Sequence, residues 1–161
     1  MKLIELPYKE FIVKGNQVIK EYEEACGWIE SLGLPYGRGR FGLYHELIKN
    51  FLKNIRDTEN SDEKLNEFLK YLNSYAEATE LIRLKNSFSS RKHEEYIDKL
   101  RQVTSGQPFR NSSKSDSSRS YGFELSIAAR LINAGYKTDI NQIADIVSKI
   151  NGRNVYFECK R

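Results

Sequence analysis

The sequence predicts an α+β protein in which an N-terminal helical bundle is followed by one helix and three strands. Three observations predict it. Apolar residues recur at helical spacing in four stretches between Asn16 and Val103. After Tyr121 the texture changes to a helix that is apolar almost all round. Beyond Gly135 the pattern turns to short β-forming runs, two of them joined by Asn151-Gly152. A chain of 161 residues makes one ordinary domain, or a small domain attached to part of another. The expected division is a helical domain over 1–104, a polar linker or loop over 105–120, and a second unit over 121–161.

The first helix is expected over Asn16–Leu32, where Val18, Ile19, Tyr22, Ala25, Cys26 and Ile29 share a face and Gly33 is a stop. The second runs from Leu43 to Ile55 on Leu47, Ile48, Phe51, Leu52 and Ile55. A third starts near Ser61, with Asp62 and Glu63 in its first turn. It carries Leu65, Phe68, Leu69, Leu72, Tyr75, Ala76 and Ala78 towards Leu84, read as one core-facing stripe. The fourth, His93–Val103, ends at Ser105-Gly106. Four amphipathic helices of this kind argue for a small bundle.

Composition narrows the function classes. No apolar run approaches the roughly 18 residues of a membrane span, and Glu5 interrupts the place where a signal peptide needs an apolar core. The expected location is cytoplasmic, away from membranes. Cys26 and Cys159 are far apart, and neither His45 nor His93 lies near a cysteine, so structural zinc is not expected. Net charge is +4. Through Gly106 the chain balances 17 basic against 17 acidic residues; beyond it, 9 basic face 5 acidic. The whole surplus sits in the C-terminal third, where it would attract polyanions.

Two loops bear on that surplus. Gly33–Arg40 is rich in glycine but has neither the spacing nor the preceding strand of a phosphate-binding fingerprint. The polar segment 104–120 reads equally as a flexible linker or as a loop that orders on a phosphate backbone. In the second case Arg110, Lys114 and Arg119 are the nucleic-acid-binding candidates.

The chemistry concentrates at the C-terminal end. Glu124 lies on a helix expected to be buried, where a carboxylate is costly unless it is paired or binds a metal. Strands are expected over 136–140, 142–150 and 153–160. Asn151-Gly152 favours a two-residue type I′ turn, which sets Ile150 opposite Arg153. Extending that register outward sets Asp145 opposite Glu158, with Lys160 on the same face. Directly opposed Cβ atoms lie about 4.5–5.5 Å apart, so two facing carboxylates would repel. A hard divalent cation, Mg²⁺ or Mn²⁺, reverses that repulsion. The competing possibilities are a bulged hairpin, or an arginine such as Arg130 pairing with the carboxylates.

The stretches Phe123–Tyr136, Ala144–Val147 and Phe157–Arg161 resemble the PD-(D/E)XK, or restriction-endonuclease-like, nucleases. The resemblance covers about a quarter of the chain and has Ala144 where proline often stands. It implies a partial α-β-β-β nuclease core over 121–161 and a catalytic set of Glu124, Asp145, Glu158 and Lys160. In that set Asp145, Glu158 and Glu124 hold or support Mg²⁺ or Mn²⁺, and Lys160 positions or activates the attacking water. The function so implied is metal-dependent hydrolysis of phosphodiester bonds, with DNA as the expected partner. The alternative is a non-catalytic nucleic-acid-binding or assembly protein that keeps a nuclease-like half-fold. The superfamily core continues beyond the Glu-X-Lys strand, so a further C-terminal portion or a second copy in a homo-oligomer is expected to complete it.

Overall fold

A computed structural model describes residues 15–34, 36–37, 39–54, 61–109, 116–140 and 144–159. Five α-helices precede a three-stranded antiparallel sheet: α1 (Gly15–Ser31), α2 (Arg40–Asn54), α3 (Ser61–Phe88), α4 (Ile97–Thr104), α5 (Ser117–Asn133), then β1 (Lys137–Asp139), β2 (Ile146–Ile150) and β3 (Arg153–Phe157). A short 3₁₀ turn, His93–Glu95, stands before α4. The mixed α+β class expected from the sequence is what the structure has.

Helix ends follow local chemistry. Past α1, Gly33 adopts φ 74°, its N–H donates to Glu30 O, and the Leu34 N–H donates to Ile29 O. That pair of bonds satisfies carbonyls the helix leaves open, and only a residue at ease with positive φ can make it cheaply. The same arrangement closes α5: Gly135 has φ 85°, with Gly135 N–H on Ile132 O and Tyr136 N–H on Leu131 O.

One hydrophobic cluster runs through the helices, from Val18, Tyr22 and Ile29 of α1 to Leu81 and Phe88 of α3, Leu100 and Val103 of α4, and Leu125, Ala128 and Ala129 of α5. Ile146 of β2 belongs to it as well, so the sheet is seated on the helical core through α5. Thr138 and Ser148 are buried on the same side of the sheet and share a 3.0 Å hydrogen bond. Arg91 Nη1, just past α3, donates to Thr138 O at 2.9 Å and ties β1 to the helices.

Three expectations need correcting. The stripe from Leu65 to Ala78 is not one core face: Leu65, Phe68, Leu69 and Leu72 are 57, 43, 55 and 43% exposed. At about 100° per residue these four share one side of α3, while the buried Ser74, Ala78, Leu81 and Phe88 lie on the opposite side. The apolar period slips phase near Leu72, and spacing alone reads the two stripes as one. Second, α5 begins at Ser117, not near Tyr121. Asp116 caps it by accepting from the Ser118 N–H at 3.1 Å, so the last residues of the expected linker are helical. Third, the strands are shorter than the β-forming runs, and α5 is not wholly buried, since Phe123 is exposed.

The hairpin matches its expectation. Asn151 and Gly152 have φ 49° and 79°, both positive as a type I′ turn requires. Ile150 pairs with Arg153, and the register holds out to Ile146 opposite Phe157.

Candidate functional site

The next residues outward along the β2–β3 register are Asp145 and Glu158, where regular pairing stops. Asp145 Oδ2 accepts the backbone N–H of Cys159 at 2.6 Å. A side chain thus takes an amide at the place where the ladder has ended. Glu158 is exposed; Cys159 is half-buried and packs against the main core, facing inward as the alternation predicts.

Glu124 comes to this end from α5. It is 8% exposed and flanked by the buried Leu125 and Ser126. Its Oε2 pairs with Nζ of Lys99 on α4, which supplies the counter-charge that a buried carboxylate needs. Arg130, the arginine that could have neutralised the hairpin carboxylates, instead pairs with Glu80 on α3 and Ser126 on its own helix. Burial works against the charge of Glu80, but the Ser126 hydroxyl, Arg83 and Arg130 outweigh it and hold the carboxyl below its usual range.

Cys159 carries a half-buried thiol at this end of the hairpin. Burial raises it above the ordinary thiol range, Asp145, Glu124 and Glu158 add to the rise, and Lys99 opposes it. Lys160 lies outside the described residues, as do Arg110 and Lys114.

Among the described residues, no three acidic, histidine or cysteine side chains sit close enough to hold one ion. Two of the three carboxylates are held by protein groups, Glu124 by Lys99 and Asp145 by the Cys159 amide. The donor set is nonetheless all carboxylate oxygen, the chemistry that Mg²⁺ and Mn²⁺ take. Lys99 is the partner that the buried Glu124 requires, so this carboxylate is paired without a metal.

Arg119 was expected on the linker as a phosphate contact. It sits in the first turn of α5 and is committed inward, with Nη1 on Glu77, Nε 3.3 Å from Asp116 Oδ2, and Nη2 donating to Pro108 O. Burial opposes its charge, but Glu77, Tyr44 and Asp116 hold the guanidinium above its usual range. Arg40, read as a loop residue, opens α2 and is buried beside the same Glu77 and the Ser118 hydroxyl. Gly106 leaves room for this corner, because a Cβ there would fall 1.8 Å from Ser118 Oγ.

Lys99 is the residue that sequence reasoning missed. Its pairing with Glu124 spans 25 positions and depends on how α4 packs on α5, so no local spacing signals it. His45 pairs with Glu23 at 3.1 Å and is bound up with Lys49 in a surface cluster. No helix among the described residues is long and apolar enough to cross a membrane. Comparison with family models, with curated proteins and with solved structures gave no match.

Proposed function

We propose that this chain carries the metal-binding part of a Mg²⁺- or Mn²⁺-dependent nuclease that hydrolyses phosphodiester bonds of DNA. The observation that carries the reading is that Asp145 and Glu158 stand just beyond the paired ends of one hairpin, with Asp145 Oδ2 on the Cys159 amide and the buried Glu124 on the helix the sheet packs against. It is supported by the resemblance of Phe123–Tyr136, Asp145 and Glu158-Cys159-Lys160 to the PD-(D/E)XK pattern.

A divalent ion held there would supply a Lewis acid for a phosphodiester oxygen. By the resemblance, Asp145 would be the central ligand and Glu158 the second, while Glu124 would support the ion from α5. Lys160, two residues beyond Glu158 in the Glu-X-Lys pattern, would orient the attacking water and offset the charge that grows on the phosphoryl oxygens. Because Arg119 is engaged by Glu77 and Asp116, contacts to the nucleic-acid backbone fall to Arg110 and Lys114.

Plasmid nicking in Mg²⁺ or Mn²⁺ tests the reading. The wild type nicks supercoiled DNA only with the metal, and Asp145→Ala and Lys160→Ala both lose the activity. Lys160→Ala keeps its metal-induced rise in Tm, since a protonated lysine is no ligand, and Asp145→Ala loses that rise. DNA binding without nicking by the wild type would favour the non-catalytic reading instead.

A further inference from the structure

A cavity of about 450 Å³ opens between α2, α3, α4 and α5, a size within the range of small-molecule sites. Its walls are mainly apolar, and Phe41, Leu81, Leu84 and Val103 among them are buried. Arg40 also lines it, with a side chain only 2% exposed. A guanidinium donates through every one of its nitrogens. Here Nη1 reaches Ser118 Oγ at 3.3 Å, while Nη2 stands 3.6 Å from Glu77, too far for a hydrogen bond. The buried Nε has no partner among the described residues, and Glu77 bonds Arg119 instead. A buried donor left unpaired is costly, and more so when it is charged. The lining charge agrees: Arg40, Arg119 and Arg130 outnumber Glu77 and Glu80 by one. Gly122, inside α5, keeps the space open. Glycine is unfavourable within a helix, and the atom nearest to a Cβ there, outside its own stretch of helix, would be Val103 Cγ2 at 3.9 Å.

We propose that this cavity binds a small carboxylate with an aromatic or branched apolar body, its head accepting from the Arg40 guanidinium. The apolar walls take the body. The head supplies both the acceptor that Nε lacks and the one negative charge that the lining lacks. A hydrogen bond between two charged groups is stronger than a neutral one, and low-dielectric walls strengthen it further. A polyanionic phosphate fits less well, since the lining offers a single excess positive charge and its apolar walls give a phosphate nothing. No strand residue lines the cavity among the described residues, so the proposal stands independently of the hairpin carboxylates.

Titration calorimetry on the full chain with hydrocinnamate, a phenyl ring on a short carboxylate chain, and with its neutral amide tests this. The wild type should bind hydrocinnamate with a Kd of about 0.1–1 mM, and the amide at least about tenfold more weakly. Saturating hydrocinnamate should raise the wild-type Tm. In the proton–nitrogen correlation spectrum the Arg40 Nε–H resonance, identified by its absence from Arg40→Lys, should move on titration. Gly122→Leu places a side chain in the cavity while favouring the helix, so it should keep its Tm without ligand and bind hydrocinnamate at least about tenfold more weakly. No binding of hydrocinnamate, equal binding of acid and amide, or unchanged binding by Gly122→Leu would each overturn the proposal.

Discussion

Among the described residues, buried charge is met by opposite charge. Glu77 is the clearest case. It faces Arg40 and Arg119, whose side chains are 2% and 10% exposed, while its own keeps some exposure at 21%. Taking away this anion leaves Arg40 with the Ser118 hydroxyl and the Phe41 ring as its polar and aromatic neighbours. An uncompensated buried charge costs far more than an intact pair contributes. Glu77→Ala should therefore destabilise the protein by about 3 kcal/mol, and urea unfolding checks it. A loss below about 0.5 kcal/mol would mean that Arg40 and Arg119 are solvated. Glu77 itself was invisible as a partner in the sequence, because residues 40, 77 and 119 meet only when α2, α3 and α5 pack.

At the scale of elements, α3 holds the largest departure from expectation. Its second half is gripped by the core, and its first half turns Leu65, Phe68, Leu69 and Leu72 outward. Tyr71 still stacks on Phe51 of α2 and Phe68 lies tilted against the same ring, so this half is attached along one flank. Apolar side chains that remain in water contribute little to stability. Leu69→Gln should change the unfolding free energy by less than about 0.5 kcal/mol, whereas Leu81→Ala, at a position 1% exposed, should cost about 2–5 kcal/mol. Chemical denaturation of both variants decides it, and comparable losses would restore the single-stripe reading. The helix stops and the hairpin behaved differently. Gly33, Gly135 and Asn151-Gly152 act through their own backbone, so each was legible from two or three residues.

For the molecule as a whole, burial sets a limit at alkaline pH. The Cys26 thiol, buried between α1 and the core, is pushed up from 9.0 to about 11, chiefly by burial. Burial likewise pushes the Tyr44 hydroxyl up to about 12, and raises Tyr22 as well. Below pH 9 the thiol is protonated whether the chain is folded or not, and its contribution is fully present. Between pH 9 and 11 the unfolded chain loses that proton first, so stability falls as pH rises. The slope is at most about 1.4 kcal/mol per pH unit for each such group. Urea midpoints should therefore decline from pH 8.5 to 10.5 in wild type and decline less steeply in Cys26→Ala. Parallel slopes would show that Cys26 titrates normally in the folded protein.

The sequence by itself determined the features whose causes are local or periodic. These are the α+β order, the helix-ending glycines, the positive-φ turn, and through that turn the register from Ile150 opposite Arg153 out to Ile146 opposite Phe157. Tertiary structure alone decided which charges are spoken for. Lys99 sits on Glu124, Arg119 turns inward to Glu77, and Arg130 goes to Glu80 rather than the hairpin. A turn needs only its own dihedral angles, so two residues encode it. An ion pair between helices needs the crossing of those helices, and the packing of many side chains fixes that crossing without leaving any spacing to read.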